Sequence, residues 1–190
     1  FIIYKSNKGF DLYTDFSKRI ILTNNNVKRF INESTKLKSK RKETDLFIGF
    51  FGYEILNNLI GVKVKKQKGL KFPKGIFYKP ETKLKLPIKL NYRNLGIVKP
   101  NTLFNININK TSYKIIFNKF KKKIKSGETY QIKICTKYRN KTQIDALDFF
   151  CRLVKSNMAP EAFMIKDKDY SIISCSPENL INKKNDFITT

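Results

Sequence analysis

Short apolar runs separated by polar turn residues dominate the first half of the chain. Runs of strand length occupy residues 1–4, 10–13, 19–23, 46–51 and 75–78. Asn7-Lys8-Gly9 lies between the first two runs and is typical of a tight turn, so the pattern predicts a hairpin or meander at the start. The run at 46–51 is continuously apolar, which predicts a core strand buried on both faces.

Helical periodicity interrupts these strands once before residue 45. Residues 24–26 can cap a helix that carries Val27, Phe30 and Ile31 on one face. The polar run 36–44 then ends the pattern and is predicted to be a solvated loop.

The clearest helix of the chain is predicted over residues 110–126. Apolar side chains recur at offsets 0, 3, 4, 7 and 11 from Tyr113, which places them on one helical face. Asn109 or Thr111 can cap its start, and Gly127 suits the left-handed position that follows a helix end. The lysines at 121–125 favour the helix dipole and so have a structural explanation.

The remaining pattern mixes strands with one further helix. Strands are predicted at 130–137, 162–165 and 170–174, with a polar turn at 166–169, and an amphipathic helix is predicted at 144–156. Strands and helices in this mixed order indicate the α+β class. The Lys- and Pro-rich residues 61–100 are interpreted as connecting structure around the strand at 75–78, which suggests a boundary near residue 100.

The net charge of +25 raises the alternative of a basic nucleic-acid-binding module. Residues 119–125 would then supply the phosphate contacts. Of the 40 basic residues only six are Arg, and Asn, Ile and Phe are also abundant, as in the product of an AT-rich coding sequence. Phosphate and base readers tend to use Arg, and Phe117 and Phe120 fall on predicted core positions. Compositional bias is therefore the favoured interpretation, with no nucleic-acid partner.

Residue types limit the chemistry and the compartment. With no His in the chain, acid–base work falls to Glu, Asp, Lys, Tyr or Cys. Cys135, Cys151 and Cys175 fit no metal-ligand spacing and are predicted to be reduced and half-buried. No apolar run has the length of a membrane span and no secretion signal is recognised, so a soluble cytoplasmic protein without a membrane partner is predicted.

Four stretches in order resemble the chorismate-utilising enzymes, the family of anthranilate synthase component I and aminodeoxychorismate synthase component I. They are Gly49-Phe50-Phe51-Gly52-Tyr53-Glu54, Gly127-Glu128-Thr129-Tyr130-Gln131-Ile132, Asn157-Met158-Ala159-Pro160-Glu161-Ala162-Phe163 and Ser176-Pro177-Glu178. The second is the most distinctive match. The third departs from the family's Asn-Pro-x-Pro pattern at Met158 and Glu161, and Ser174 replaces the usual Gly before the fourth.

The resemblance implies part of the family's two-sheet α+β fold with flanking helices, in a chain truncated at both ends. Residues 1–100 would be an N-terminal region and residues 101–190 the start of the chorismate-binding catalytic region. Segments expected beyond Thr190 include the family's catalytic His and the glutamates that bind Mg²⁺. The isolated fragment is therefore expected to be inactive.

By the same resemblance Glu178 is the catalytic general acid or base, with Ser176, Pro177 and Gln131 near the substrate. Asn157 and Pro160 belong to the segment that helps form the feedback site in tryptophan-regulated members, and its departures put tryptophan inhibition in doubt. No metal ligand is expected within this chain.

The implied partners are chorismate and a glutamine amidotransferase subunit that supplies ammonia. The product would serve p-aminobenzoate and folate synthesis or tryptophan synthesis. The residues at 130–132 and the altered third stretch favour aminodeoxychorismate synthase slightly. An isochorismate or salicylate synthase is the next alternative.

Overall fold

The computed structural model describes residues 1–6, 9–34, 42–62, 72–87, 104–141, 144–176, 181–184 and 187–189. The chain forms two compact units, one of Phe1–Tyr92 with Ala146–Thr190 and one of Arg93–Asp145. The predicted boundary near residue 100 falls among residues outside the described ranges and stays a prediction.

Strands outnumber helices in the described residues, and together they confirm the α+β class. The strands are β1 (Ile2–Ser6), β2 (Gly9–Ile21), β3 (Ile48–Phe51), β4 (Gly75–Leu86), β5 (Asn105–Ile106), β6 (Tyr138–Arg139), β7 (Ala162–Lys166), β8 (Ser171–Ser174), β9 (Asn182–Lys184) and β10 (Phe187–Thr189). The helices are α1 (Val27–Ser34), α2 (Tyr53–Leu59), α3 (Lys110–Lys125) and α4 (Ala146–Asn157).

A six-stranded antiparallel sheet in the order β3-β4-β2-β1-β7-β8 forms the first unit. Strand β1 is inside the sheet, where Ile3 lies opposite Leu12 on one side and Met164 on the other. The pairing joins the start of the chain to a hairpin about 160 residues later. Ile2 and Ile3 are buried as a result.

Two strands are longer than the sequence predicts. The runs at 10–13 and 19–23 form a single strand, β2, whose pairing with β4 shifts between Phe16 and Lys18. Asp15 has a left-handed φ of 53° just before this shift, so a bulge carries the strand through its polar middle. Strand β4 likewise continues to Leu86, because Lys83 and Lys85 pair with β2.

Among the described residues, three apolar clusters form the core of the first unit. Helix α4 packs through Phe150 and Cys151 against side chains of β1, β2 and β7. A second cluster joins β1, β2, β4 and β7 with partly buried residues of β3. The third packs α1 and α2 against the ends of β2, β3 and β4. Strand β3 contributes to the second and third clusters, so it packs on both faces as predicted although it lies at a sheet edge.

In the second unit, helix α3 confirms the prediction at 110–126, but two expectations there are wrong. The segment 130–137 is not a strand, and pairing with β5 begins at Tyr138–Arg139. Helix α3 has no buried residue, and Phe117 is 45% exposed instead of lying in a core. Periodicity identifies an apolar face or a strand-like alternation, but it does not say whether a partner lies against it.

We expect Gly49→Ala to destabilise the protein strongly. A Cβ atom on Gly49 would lie 1.9 Å from the Ile76 carbonyl oxygen of β4, so the two strands would have to separate locally. The free energy of unfolding, measured by urea denaturation, should fall by about 2 kcal/mol or more.

Gly61→Ala is the matched control for this substitution. Gly61 has a φ of +77° but open space around it, so alanine there should cost only about 1 kcal/mol of backbone strain. An equal or smaller cost for Gly49→Ala would contradict the close approach of β3 and β4.

Candidate active-site segment

The strand β8 leads directly into the predicted catalytic motif. It pairs with β7 along its whole length, from Lys166 opposite Ser171 to Phe163 opposite Ser174. Cys175 and the exposed Ser176 follow. Pro177 and the predicted catalytic Glu178 lie outside the described residues, so the role of Glu178 stays a prediction.

The third stretch lies beside the end of β8. Asn157 ends α4, and its side-chain Nδ2 donates a hydrogen bond of 3.2 Å to the Cys175 carbonyl oxygen. Ala159 is buried, and its carbonyl oxygen accepts a hydrogen bond from Lys5 Nζ of β1. Pro160 is exposed. The structure therefore brings Asn157 and the segment of Ser176 together.

Met158 explains one departure from the family pattern. Its φ of 48° lies in the left-handed region, which a side chain without a Cβ branch can adopt at some cost. Proline, with φ fixed near about −65°, could not adopt this conformation. The chain thus follows a path here that the Asn-Pro-x-Pro pattern excludes.

The opposite end of the β7–β8 hairpin is fixed by Asp167. Arg19 Nε and Nη2 donate to Asp167 Oδ2 at 3.1 and 2.9 Å, and the Tyr78 hydroxyl donates to the same oxygen. The Lys168 backbone N–H donates to Oδ1 at 2.7 Å. The turn of the hairpin is thereby tied to β2 and β4.

These hydrogen bonds shift the pKa values of Asp167 and Tyr78. Burial alone would raise the pKa of Asp167, but the hydrogen bonds from Tyr78, Lys168 and Arg19 outweigh it and lower the pKa to about 2. Burial raises the pKa of Tyr78, and its hydrogen bond to the carboxylate adds to the effect. Asp167 is thus a fixed anion at neutral pH.

Gln131 lies in the second unit, in the segment that follows α3. Asn109 caps the helix by accepting a 2.8 Å hydrogen bond from the Ser112 backbone N–H. Gly127 has a φ of +76° past the helix end, and Glu128 pairs with Lys123. Gln131 itself is exposed, and its carbonyl oxygen accepts from Thr129 Oγ1 at 3.1 Å. Gly127 and Glu128 therefore have local structural roles in ending α3.

The first stretch is the junction between β3 and α2. Gly52 donates its backbone N–H to the Lys74 carbonyl oxygen at 2.7 Å, and a Cβ atom there would lie 2.2 Å from that oxygen. The backbone of Gly52 therefore approaches that of Lys74 at a distance that leaves no room for a side chain. Helix α2, which starts at Tyr53, was not predicted.

The described residues do not fit a metal ion. No three of the Cys, Asp and Glu side chains in the described part of the chain gather as a possible ligand set. Cys135 is exposed, Cys151 buried and Cys175 half-buried, so only the last matches the expected burial. None of the described helices is long and apolar enough to cross a membrane.

Sequence reasoning missed Lys5, which bonds to the loop before β7, and Asp167, which ties the turn of the β7–β8 hairpin to β2 and β4. Asp167 was assigned only to a polar turn. Its partners Arg19 and Tyr78 are opposite each other in the pairing of β2 with β4, but no local pattern links that pair to residue 167. Asp11 was missed in the same way, although it is buried and binds Lys83 and Lys85.

Comparison with known proteins identifies the family. Residues 91–190 match the family described as chorismate binding enzyme, which is more than half of the chain. The chain belongs to this family of chorismate-binding enzymes. Three of the stretches that carry the resemblance lie within the matched residues.

Named relatives share low identity with the chain. Anthranilate synthase component 1 of Buchnera aphidicola subsp. Diuraphis noxia is 25% identical over 186 residues, covering 80% of this chain and 36% of that protein. The protein of the same name from Buchnera aphidicola subsp. Schizaphis graminum is 29% identical over 126 residues, covering 66% and 23%. That of Thermococcus kodakarensis is 33% identical over 60 residues, covering 32% and 14%. The chain thus spans about a third or less of the length of these relatives.

We expect Asp167→Asn to remove a pH-dependent part of the stability. Because the pKa of Asp167 is lower in the folded protein than in the unfolded chain, its contribution is complete above about pH 4 and is lost as the pH falls toward 2. At pH 7 the substitution should lower the free energy of unfolding by about 1–2 kcal/mol. Urea denaturation from pH 2 to 7 measures the difference.

Asp169→Asn is the control in the same turn, where the side chain is exposed. It should change stability by less than about 0.5 kcal/mol. A difference between wild type and Asp167→Asn that stays constant across this pH range would contradict the assigned role of the carboxylate.

Proposed function

We propose that this chain is part of the synthase subunit of an enzyme that aminates chorismate, with Glu178 as its general acid. The observation that carries the proposal is the family match over residues 91–190, because Gln131 and the Ser176-Pro177-Glu178 motif both lie within it. The name anthranilate synthase component 1, borne by the relatives, adds support for this class of reaction.

The chemistry requires an acid near the substrate hydroxyl. Chorismate is a dianion, and ammonia can replace its ring hydroxyl only if that poor leaving group departs as water. The C–N bond forms, the C–O bond breaks, and a carboxylic acid supplies the proton to the departing oxygen. Glu178 fills this role in the proposal and is left as a carboxylate.

The described residues just before the Ser176-Pro177-Glu178 motif are held in place, which supports this role. Strand β8 is held by its full pairing with β7, and the Cys175 carbonyl oxygen is bound by Asn157. Pro177 has one fixed backbone torsion and directly precedes Glu178. A general acid on such a segment loses little freedom when it meets the substrate.

The ammonia source and the metal ion belong to the proposal as well. The resemblance implies a glutamine amidotransferase subunit as partner and Mg²⁺ as cofactor. Since the described residues form no ligand set for a metal, no step is assigned to Mg²⁺ in this chain.

Two products remain as candidates for the amination. The names of the relatives favour anthranilate, whereas the residues at 130–132 and the altered third stretch favour aminodeoxychorismate. Isochorismate or salicylate synthesis, in which water replaces ammonia, is the alternative within the family.

The test is turnover of chorismate by the full-length gene product with Mg²⁺ and ammonia. We expect amination, with the product identified by chromatography against anthranilate and aminodeoxychorismate standards. Glu178→Gln should lower kcat by about 10² to 10⁴-fold because the amide cannot give up a proton. Product formed without ammonia would instead support isochorismate or salicylate synthesis.

The matched control is Glu43→Gln. Glu43 is an exposed acid that pairs with Lys83 at 3.1 Å in the N-terminal part of the chain, and its loss should leave kcat within twofold of wild type. No consumption of chorismate, or an equal loss of rate in both variants, would contradict the assignment of Glu178.

A further inference from the structure

The end of α4 and the loop after it contact two separate parts of the first unit. On one side Asn157 Nδ2 donates to the Cys175 carbonyl oxygen at 3.2 Å. On the other side Lys5 Nζ donates to the Ala159 carbonyl oxygen. Met158 lies between them with a left-handed φ of 48°. The loop therefore bridges the interior strand β1 and the residue that follows β8.

Asn157 is presented from a rigid support. Helix α4 is anchored by Phe150 and Cys151, which are 0% and 6% exposed. The helix continues its hydrogen bonding to the Met158 backbone N–H, which donates to the Val154 carbonyl oxygen at 3.1 Å. The side-chain amide at the helix end can therefore restrain the Cys175 carbonyl group, which accepts its hydrogen bond.

The acceptor of this hydrogen bond is the first residue after β8. Ladder pairing with β7 ends at Ser174, so the Cys175 carbonyl lies beyond the hydrogen bonds that fix the strand. Cys175 precedes the Ser176-Pro177-Glu178 motif directly in the sequence. A bond at this carbonyl restrains the direction in which the chain leaves the sheet.

We propose that Asn157 is a positioning residue, whose hydrogen bond to the Cys175 carbonyl fixes the exit of β8 toward the Ser176-Pro177-Glu178 motif. Asn157 acts through the backbone and not on the substrate. This inference rests on the proposed function, because the motif matters for catalysis only if Glu178 is the general acid. The Asn157 segment then serves the reaction as a mechanical support.

The test replaces the amide by an isosteric group in the full-length gene product. Asn157→Asp keeps the shape but removes the donor and places a charge against the carbonyl oxygen, and Asn157→Ala removes the side chain without adding charge. Both should lower kcat for chorismate about tenfold with KM within twofold, because a small misplacement of a reacting group slows the chemical step. The thermal midpoint should stay within about 2 °C of wild type, since Asn157 is exposed.

Ser156→Ala is the matched control at the same helix end. The Ser156 hydroxyl donates to the Leu153 carbonyl oxygen of its own helix, at 3.1 Å. Its kcat should stay within twofold of wild type. The proposal is overturned if Asn157→Asp behaves like Ser156→Ala, or if its slower rate follows a fall in thermal midpoint of more than about 5 °C.

Hydrogen exchange separates this proposal from the proposed function. Asn157→Asp should speed amide exchange in a peptide covering residues 175–181, while Ser156→Ala should not. If wild type leaves chorismate unchanged, the proposed function fails, and faster exchange still supports the restraint on the strand exit. Unchanged exchange overturns the positioning role whatever the activity.

Discussion

Strand β1 is paired along both of its edges, and this pairing holds the sheet of the first unit together. Its residues Ile2–Ser6 bond to β2 on one side and to β7 on the other. Strand β1 lies between β2 and β7, so without it the β7–β8 hairpin would have no strand to join it to the N-terminal strands. The buried Ile2 and Ile3 connect two of the apolar clusters at the same point.

The β7–β8 hairpin, which pairs with β1, is restrained at both ends by polar contacts. Asp167 ties the turn to Arg19 and Tyr78, whereas Asn157 holds the carbonyl of Cys175 at the strand exit. A two-stranded hairpin is only marginally stable by itself, so these contacts and the packing of α4 give it a defined position. The predicted catalytic motif follows directly from this restrained element.

The excess of basic residues affects how the acidic side chains of the first unit are paired. With 15 acidic against 40 basic residues, an acid in the sheet has several cationic partners within reach. Asp11 is buried and bonds to Lys85 at 2.6 Å and Lys83 at 3.5 Å. Burial would raise the pKa of Asp11, but its two lysine partners outweigh that effect and lower it. Because the acid and the lysines pair across neighbouring strands, the sheet contains charged residues without leaving a buried charge unpaired at Asp11.

Local elements could be predicted where their signal lies within a few neighbouring residues. Helix α3 follows from its capping residues and its apolar periodicity, helix α4 follows from its amphipathic pattern, and β7 and β8 follow from short apolar runs beside a polar turn. The family could be predicted as well, because each motif that carries the resemblance is a run of consecutive residues.

The tertiary fold brings distant segments together in ways that no local pattern predicts. It joined two predicted strands into β2 through a bulge, left 130–137 without a strand, and left Phe117 exposed. It also brought Asn157 to Cys175 and Asp167 to Arg19, which are separated by 18 and 148 residues in the chain. Periodicity records which face of a segment is apolar, but a hydrogen bond or a packed face also needs a partner, and that partner is set by the path of the whole chain.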